Sequence, residues 1–141
     1  MSLDRIFNIA GSALNAQTTR MNTTASNLAN AGTVSGNETE AFRAKRAMFK
    51  TILDQQLKPH EQGYTGGVRV EKLTDDPAPI RKMSDPGNPM ADKDGFVYLS
   101  NVNEMTEMVE MMAAARSYQN NVEVINTARQ LMMRTLDLAK S

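Results

Sequence analysis

The chain reads as an α+β protein in which long N- and C-terminal helices pair as a coiled-coil-like α domain around a small β-rich insert. Three observations predict this. Apolar residues recur at heptad spacing at both ends. The middle holds all five prolines and six of the eight glycines. Short runs that suit strands sit inside that middle, after glycines. The expected division is 1–33 for the N-terminal helix, 34–100 for the insert and 101–141 for the C-terminal helix, the two helices making one discontinuous domain.

The first helix is expected from about Leu3 to Asn30. Phe7, Leu14, Met21 and Leu28 recur every seven residues, with Ala10, Ala13 and Ala25 beside them and polar Gln17 and Thr24 at the companion positions. Asn, Thr and Ser crowd Asn22 to Asn30; as mediocre helix formers they compete for backbone hydrogen bonds, so this helix needs neighbours for stability. Only Asp4, Arg5 and Arg20 are charged before residue 34, too few for a helix standing in bulk water. Asn30, Gly32 and Gly36 are expected to close it in left-handed conformations, with a loop over 31–37.

In the insert, Val68-Arg69-Val70 and Phe96-Val97-Tyr98-Leu99 read as strands. The stretch from Phe42 to Leu57 fits either a helical face or an extended start, and the extended start is preferred. Prolines 77, 79, 86 and 89 deny the stretch from Asp75 to Gly95 a central strand, because each removes a backbone donor.

The last helix is expected from about Val102 to the chain end. Met108, Met111, Ala115, Tyr118, Val122, Ile125, Arg129, Met132, Leu136 and Ala139 follow at steps of three and four, and Arg129 alone interrupts the apolar seam. At 1.5 Å per residue that run reaches roughly 48 Å, against about 30 Å for a compact domain of this size. The seam is therefore expected to lack a sufficient partner inside one subunit, with both ends ordering on assembly. Six of the eleven methionines lie here, and flexible thioethers suit surfaces that meet several slightly different neighbours.

Composition narrows the function. Acidic and basic residues number sixteen each, so no net field recruits nucleic acid or an anionic membrane. Cysteine is absent, which excludes disulfides and thiolate metal sites. No apolar run of about 18 residues exists to span a membrane as a helix. The N-terminus lacks the basic start and unbroken apolar stretch of a cleavable secretory signal. Asp92-Lys93-Asp94-Gly95 resembles the opening of a calcium loop, but Met90 and Asn101 stand where further ligands would be needed, so a tight turn is expected there. His60 has no nucleophile beside it. Asp75-Asp76 point apart on a strand and Glu107-Glu110 are expected beside water, so neither pair makes an acid/base dyad. The expectation is a protein with no catalytic residue, cofactor or metal.

Ser12-Ala13-Leu14, Ala16-Gln17, Arg20, Asn22 and Ala25-Ser26-Asn27-Leu28-Ala29-Asn30 resemble the N-terminal signature of bacterial flagellar rod and hook proteins. Phe42-Arg43-Ala44-Lys45, Asp85-Pro86-Gly87-Asn88-Pro89, Asn101-Val102-Asn103, Glu107-Met108-Val109, Tyr118-Gln119 and Asn121-Val122 narrow the likeness to the flagellar basal-body rod proteins of the proximal rod. The chain departs from the usual pattern at Phe42 and Asn120. The resemblance implies a subunit without enzymatic activity that assembles through its terminal helices into a helical tube and transmits torque. It also implies a rod position in the periplasmic space, export through the flagellar type III apparatus without a cleavable signal peptide, and partners among its own copies, the other proximal and distal rod subunits and the rod-base adaptor. The expected assembly residues are Phe7, Leu14, Gln17, Met21, Asn27, Leu28, Asn30, Met108, Met111, Ala115, Tyr118, Gln119, Val122, Ile125, Met132 and Leu136. The alternative reading is a soluble coiled-coil adaptor that forms a closed dimer.

Overall fold

A computed structural model describes residues 3–52 and 66–140. The elements run α1 (Leu3–Ala29), β1 (Val34–Ser35), β2 (Lys45–Thr51), β3 (Val68–Asp75), β4 (Arg81–Ser84), β5 (Phe96–Leu99) and α2 (Glu104–Lys140). The α+β class holds. At 27 and 37 residues the helices measure about 40 and 55 Å.

Within α1 the Thr-rich stretch is accommodated by hydroxyls turned back on the helix. Thr18, Thr19 and Thr23 donate to the carbonyls of Leu14, Asn15 and Thr19. Such bonds satisfy the side chain at a small cost in helix stability. The end of α1 differs from the expected left-handed close. Asn30 and Thr33 have no positive φ, and Gly95 is the only glycine with one among the described residues. Instead the last turn tightens: the amide of Asn30 is shared between the carbonyls of Ser26 and Asn27, and that of Ala31 donates to Leu28. The carboxamide of Asn30 also donates to Ser26 O at 2.8 Å. Where a plain loop was expected, Val34 and Ser35 form β1.

β1 pairs antiparallel with β5, Val34 opposite Leu99, and Ser100 N donates to Thr33 O. The strand that leaves α1 thus lies beside the strand that enters α2. β4 completes this sheet in the order β1-β5-β4. It lies between Pro79 and Pro86 and occupies an edge, as prolines require of a strand in that stretch. All four of its residues are exposed. Lys82 from this edge stands 4.0 Å over the Phe96 ring.

β2 and β3 make a separate antiparallel hairpin with a register shift between Met48 and Phe49. The extended reading of the chain from Phe42 is therefore observed as far as Ile52; residues 53–57 and His60 fall outside the described residues. The hairpin lies along α1. Ser12 Oγ accepts from Val68 N at 3.1 Å and donates to Ile9 O at 2.8 Å.

α2 begins at an Asn cap: the Asn103 side chain accepts the amide of Thr106 at 3.0 Å. It runs antiparallel to α1, with Asn27 bonded to Glu107 near one end and Ile6 facing Val124 and Leu131 near the other. The expectation that the C-terminal stripe lacks a partner inside one chain is corrected, since α1 is that partner. Its buried residues are Glu107, Ala114 and Ala128, and Met111, Tyr118, Asn121, Ile125 and Met132 on the same stripe are half-buried. Half of the expected seam is therefore displaced by one residue, about 100° round the helix. Ala114 and Ala128 take the inner positions assigned to Ala115 and Arg129. Small side chains win those places because two helices held together at Asn27 and Glu107 leave room for little else. Beyond Met132 α2 is exposed throughout its described side chains.

Hydrogen exchange should follow this geometry: amides from Glu107 to Ala128 are expected to be protected and those from Met133 to Ala139 to exchange fast. Uniform protection to Ala139 would contradict a solvent-exposed end. Gly95 has φ 78° and a Cβ there would sit 3.2 Å from Pro86 Cγ. Gly95→Val is expected to cost at least about 1–2 kcal/mol, read as a lowered melting temperature. An unchanged melt would contradict the turn.

Candidate assembly face and the polar node beneath it

The core is small-residue and polar. Ala10, Ala16, Ala31, Ala41, Ala44, Val97, Val102, Ala114 and Ala128 are its buried apolar members, while the bulkiest fully buried side chains are Glu107, Val97, Asn27 and Ser100. The Glu107-Glu110 pair was expected beside water, and this is corrected for Glu107, which has no exposure. Burial of a carboxyl group is tolerable only with partners that replace water. Glu107 has two. Asn27 Nδ2 donates to it at 2.9 Å and Arg46 at 2.6 Å.

Each of those partners is itself fixed. Asn27 pairs both backbone groups of Lys45, accepting from its N at 2.8 Å and donating to its O at 2.9 Å. Arg46 holds Asp76 Oδ2 at 3.0 Å with its second edge. On the other side Asn101 Oδ1 accepts Ala44 N at 2.7 Å, and Asp76 N donates to Ala44 O. The four backbone groups of Ala44 and Lys45 are thus satisfied by Asn101, Asp76 and Asn27. A segment threaded between two helices and a hairpin would otherwise bury unpaired peptide groups at about 1–3 kcal/mol each. Asp76 is held below the ordinary carboxylate range by the amide of Ala78 and then by Arg46.

Arg20 joins Glu110 in a second ion pair between the helices. It is partly exposed and adds little to stability.

Asp92 sits in the expected turn. Its Oδ1 accepts the amides of Asp94 and Phe96 at 3.0 and 2.8 Å, and Tyr98 donates to Oδ2 at 3.3 Å. These bonds, that of Phe96 foremost, lower its pKa. The carboxylate is used in shaping the entry to β5.

The expected assembly residues divide into three sets. Asn27 is in the node. Phe7, Leu14, Gln17, Met21, Leu28, Asn30, Met111, Ala115, Tyr118, Ile125 and Met132 are half-buried, and Met108, Gln119, Val122 and Leu136 are exposed. At 100° per residue the stripe Phe7–Leu14–Met21–Leu28 lies round α1 away from Ser12 and Ala16, which face the hairpin. The stripe through Met108, Ala115 and Val122 turns the same way round the antiparallel α2. Both therefore border one face of the helix pair, opposite the hairpin. Gln17 Oε1 is buried there without a hydrogen bond among the described residues.

Sequence reasoning missed a second stripe. Met105, Val109 and Met112 are 71, 54 and 65 % exposed, on the side of α2 turned from α1. The i, i+4, i+7 spacing could have revealed it, but the neighbouring seam through Met108 and Met111 shares the same turns. Contiguous exposed apolar patches are candidates for interaction surfaces.

The chain matches the family model for the flagella basal body rod protein over residues 7–36 and that for the flagellar basal body rod FlgEFG protein C-terminal over residues 93–138. It is 49 % identical over 140 residues to the flagellar basal-body rod protein FlgC of Yersinia enterocolitica, covering 99 % of this chain and all of that one. With the same coverage it is 46 % identical to the protein of that name from Escherichia coli O157:H7. The one from Buchnera aphidicola of Acyrthosiphon pisum is 43 % identical over 142 residues.

The depressed pKa of Asp76 sets a pH dependence. A carboxylate that is more acidic folded than unfolded contributes stability above its unfolded value, near 3.8, and loses it as pH falls through its folded value. Melting temperature is therefore expected to fall more steeply below about pH 4 in the natural chain than in Asp76→Asn. Parallel acid limbs in the two would remove Asp76 from the balance.

Proposed function

The chain belongs to the flagellar basal-body rod protein family, and from that premise we propose how it is built into the rod. It is a structural subunit of the flagellar basal body, not an enzyme, and it assembles with other rod components. Among the described residues no helix is long and apolar enough to cross a membrane.

The finer reading treats 1–33 and 101–141 as one discontinuous rod-core domain and 34–100 as an insert carried outside it. The terminal helices pack against those of neighbouring copies and of the other proximal and distal rod subunits and the base adaptor. They do so in coiled-coil fashion, along the face bordered by Phe7, Leu14, Met21, Met108, Ala115 and Val122. Contacts of this heterologous kind do not close on themselves and generate a helical tube, here a shaft in the periplasmic space that carries torque. The observation that carries this reading is the imbalance of the single chain: its buried apolar helix side chains are alanines, Ala10, Ala16, Ala114 and Ala128, while Met105, Met108, Val109, Met112, Leu131, Met133, Leu136 and Leu138 are at least half exposed along α2.

Export unfolded through the flagellar type III apparatus, without a cleavable signal, fits the same imbalance. The core that would have to be opened holds few large apolar side chains, and with no cysteine no disulfide has to be broken.

Met108→Lys and Ala115→Lys test the face. Single surface substitutions change monomer stability by about 0.5 kcal/mol or less, whereas a lysine forced into a dry contact costs several times as much. Both variants are expected to melt close to the natural chain and to fail to restore swimming to cells lacking the protein. Normal swimming with both would rule out this face.

A further inference from the structure

Among the described residues Glu107 is the bulkiest side chain without exposure, and its partners come from two elements far apart in sequence. Asn27 is the third-last residue of α1. Arg46 is the second residue of β2. Both are also anchored independently of Glu107, Asn27 by the backbone of Lys45 and Arg46 by Asp76. Elsewhere between the helices the Arg20–Glu110 pair is partly exposed, and Met111, Tyr118, Ile125 and Met132 are only half-buried. The buried side chains there are small, Ala10 and Thr24 on α1 and Ala114 and Ala128, two heptads apart, on α2. On a heptad-patterned seam a slide of seven residues, about 10 Å, brings the same two helix faces together again.

We propose that Asn27, Arg46 and Glu107 form a register pin, which selects one alignment of α2 on α1 and ties the hairpin to that alignment, and that its contribution is to specificity and not to net stability. Only one register brings the Glu107 carboxylate between an amide already held by Lys45 and a guanidinium already held by Asp76. In any other it is buried without donors or must leave the interface. A buried polar group used in this way fixes alignment in paired helices at some expense in stability. Asn27, Arg46 and Glu107 thereby act as positioning residues: they determine which side chains of α1 and α2 lie level with one another on the outer face.

The test uses the free full-length chain, so it does not depend on rod assembly. Because the protein has no cysteine, cysteines placed at the exposed positions Asn22 and Asn126 take spin labels without competition, and pulsed spectroscopy gives their distance distribution. The natural chain should show one narrow distance. Arg46→Met/Glu107→Met, which leaves the Asn27 bonds to Lys45 in place, should melt within a few degrees of it or higher. Its distance distribution should gain a second population, displaced by about 10 Å along the helix axis. Glu107→Met alone, which strands Arg46, should melt lower than the double variant. A double variant with the natural single distance would show that packing alone sets register. One that melts far below the natural chain or fails to fold would show that the pair supplies stability. A broad distribution in the natural chain would show that nothing is pinned. Each of these three results overturns the proposal.

Discussion

A carboxyl group cannot be taken out of water without replacement partners, and the placement of Glu107 imposes that condition on most of this fold. Arg46 can reach it only if β2 starts beside the helix pair. Asn27 can reach it only if α1 ends level with the first full turn of α2. The backbone between Ala41 and Arg46 must then pass through the gap, and its peptide groups need partners of their own, which Asn27, Asn101 and Asp76 supply. Helix ends, hairpin start and connecting segment are thus bound by one local requirement for hydrogen bonds, while apolar burial inside the chain is slight.

The elements that were legible from sequence are those with a local cause. Both helices announce themselves by heptad spacing, β5 by a short apolar run after Gly95, and the Asp92 turn by its Asp-Lys-Asp-Gly string. The two-residue β1 has no local signal, because its existence depends on β5 arriving beside it. The helix seam was half legible: Met111, Tyr118, Ile125 and Met132 lie on both the expected and the observed stripe. The intervening positions go to Ala114 and Ala128 because close approach selects small side chains, and a search for large apolar residues passes over them. Glu107 was least legible of all. Glutamate on a helix is ordinarily solvated, and nothing near it in sequence points to Arg46, which lies 61 residues away.

The residues that carry the family likeness acquire a physical reason from the same geometry. Asn27, Ala44, Lys45 and Asn101 belong to a single arrangement in which two carboxamides bracket a dipeptide's backbone. Ala44 is fully buried, so a larger side chain there would push the helices apart. Arg20 bridges to Glu110 a turn further along. Part of what reads in sequence as scattered short motifs, Asn27, Ala44-Lys45, Asn101 and Glu107, is one contact in space, distributed over both terminal segments and the insert.

The unequal lengths of the helices give the subunit unlike ends. At one end the pair is capped by the β1–β5 junction and the Asn103 cap; at the other, α2 extends beyond the described part of α1, with Leu136 and Leu138 exposed to solvent. A column of such subunits stacked end to end would have polarity, every joint placing a single helix against a closed junction. Its two tips would then differ in chemistry, one offering an unfinished helix and the other a finished sheet, so that whatever extends the column from one tip could not extend it from the other.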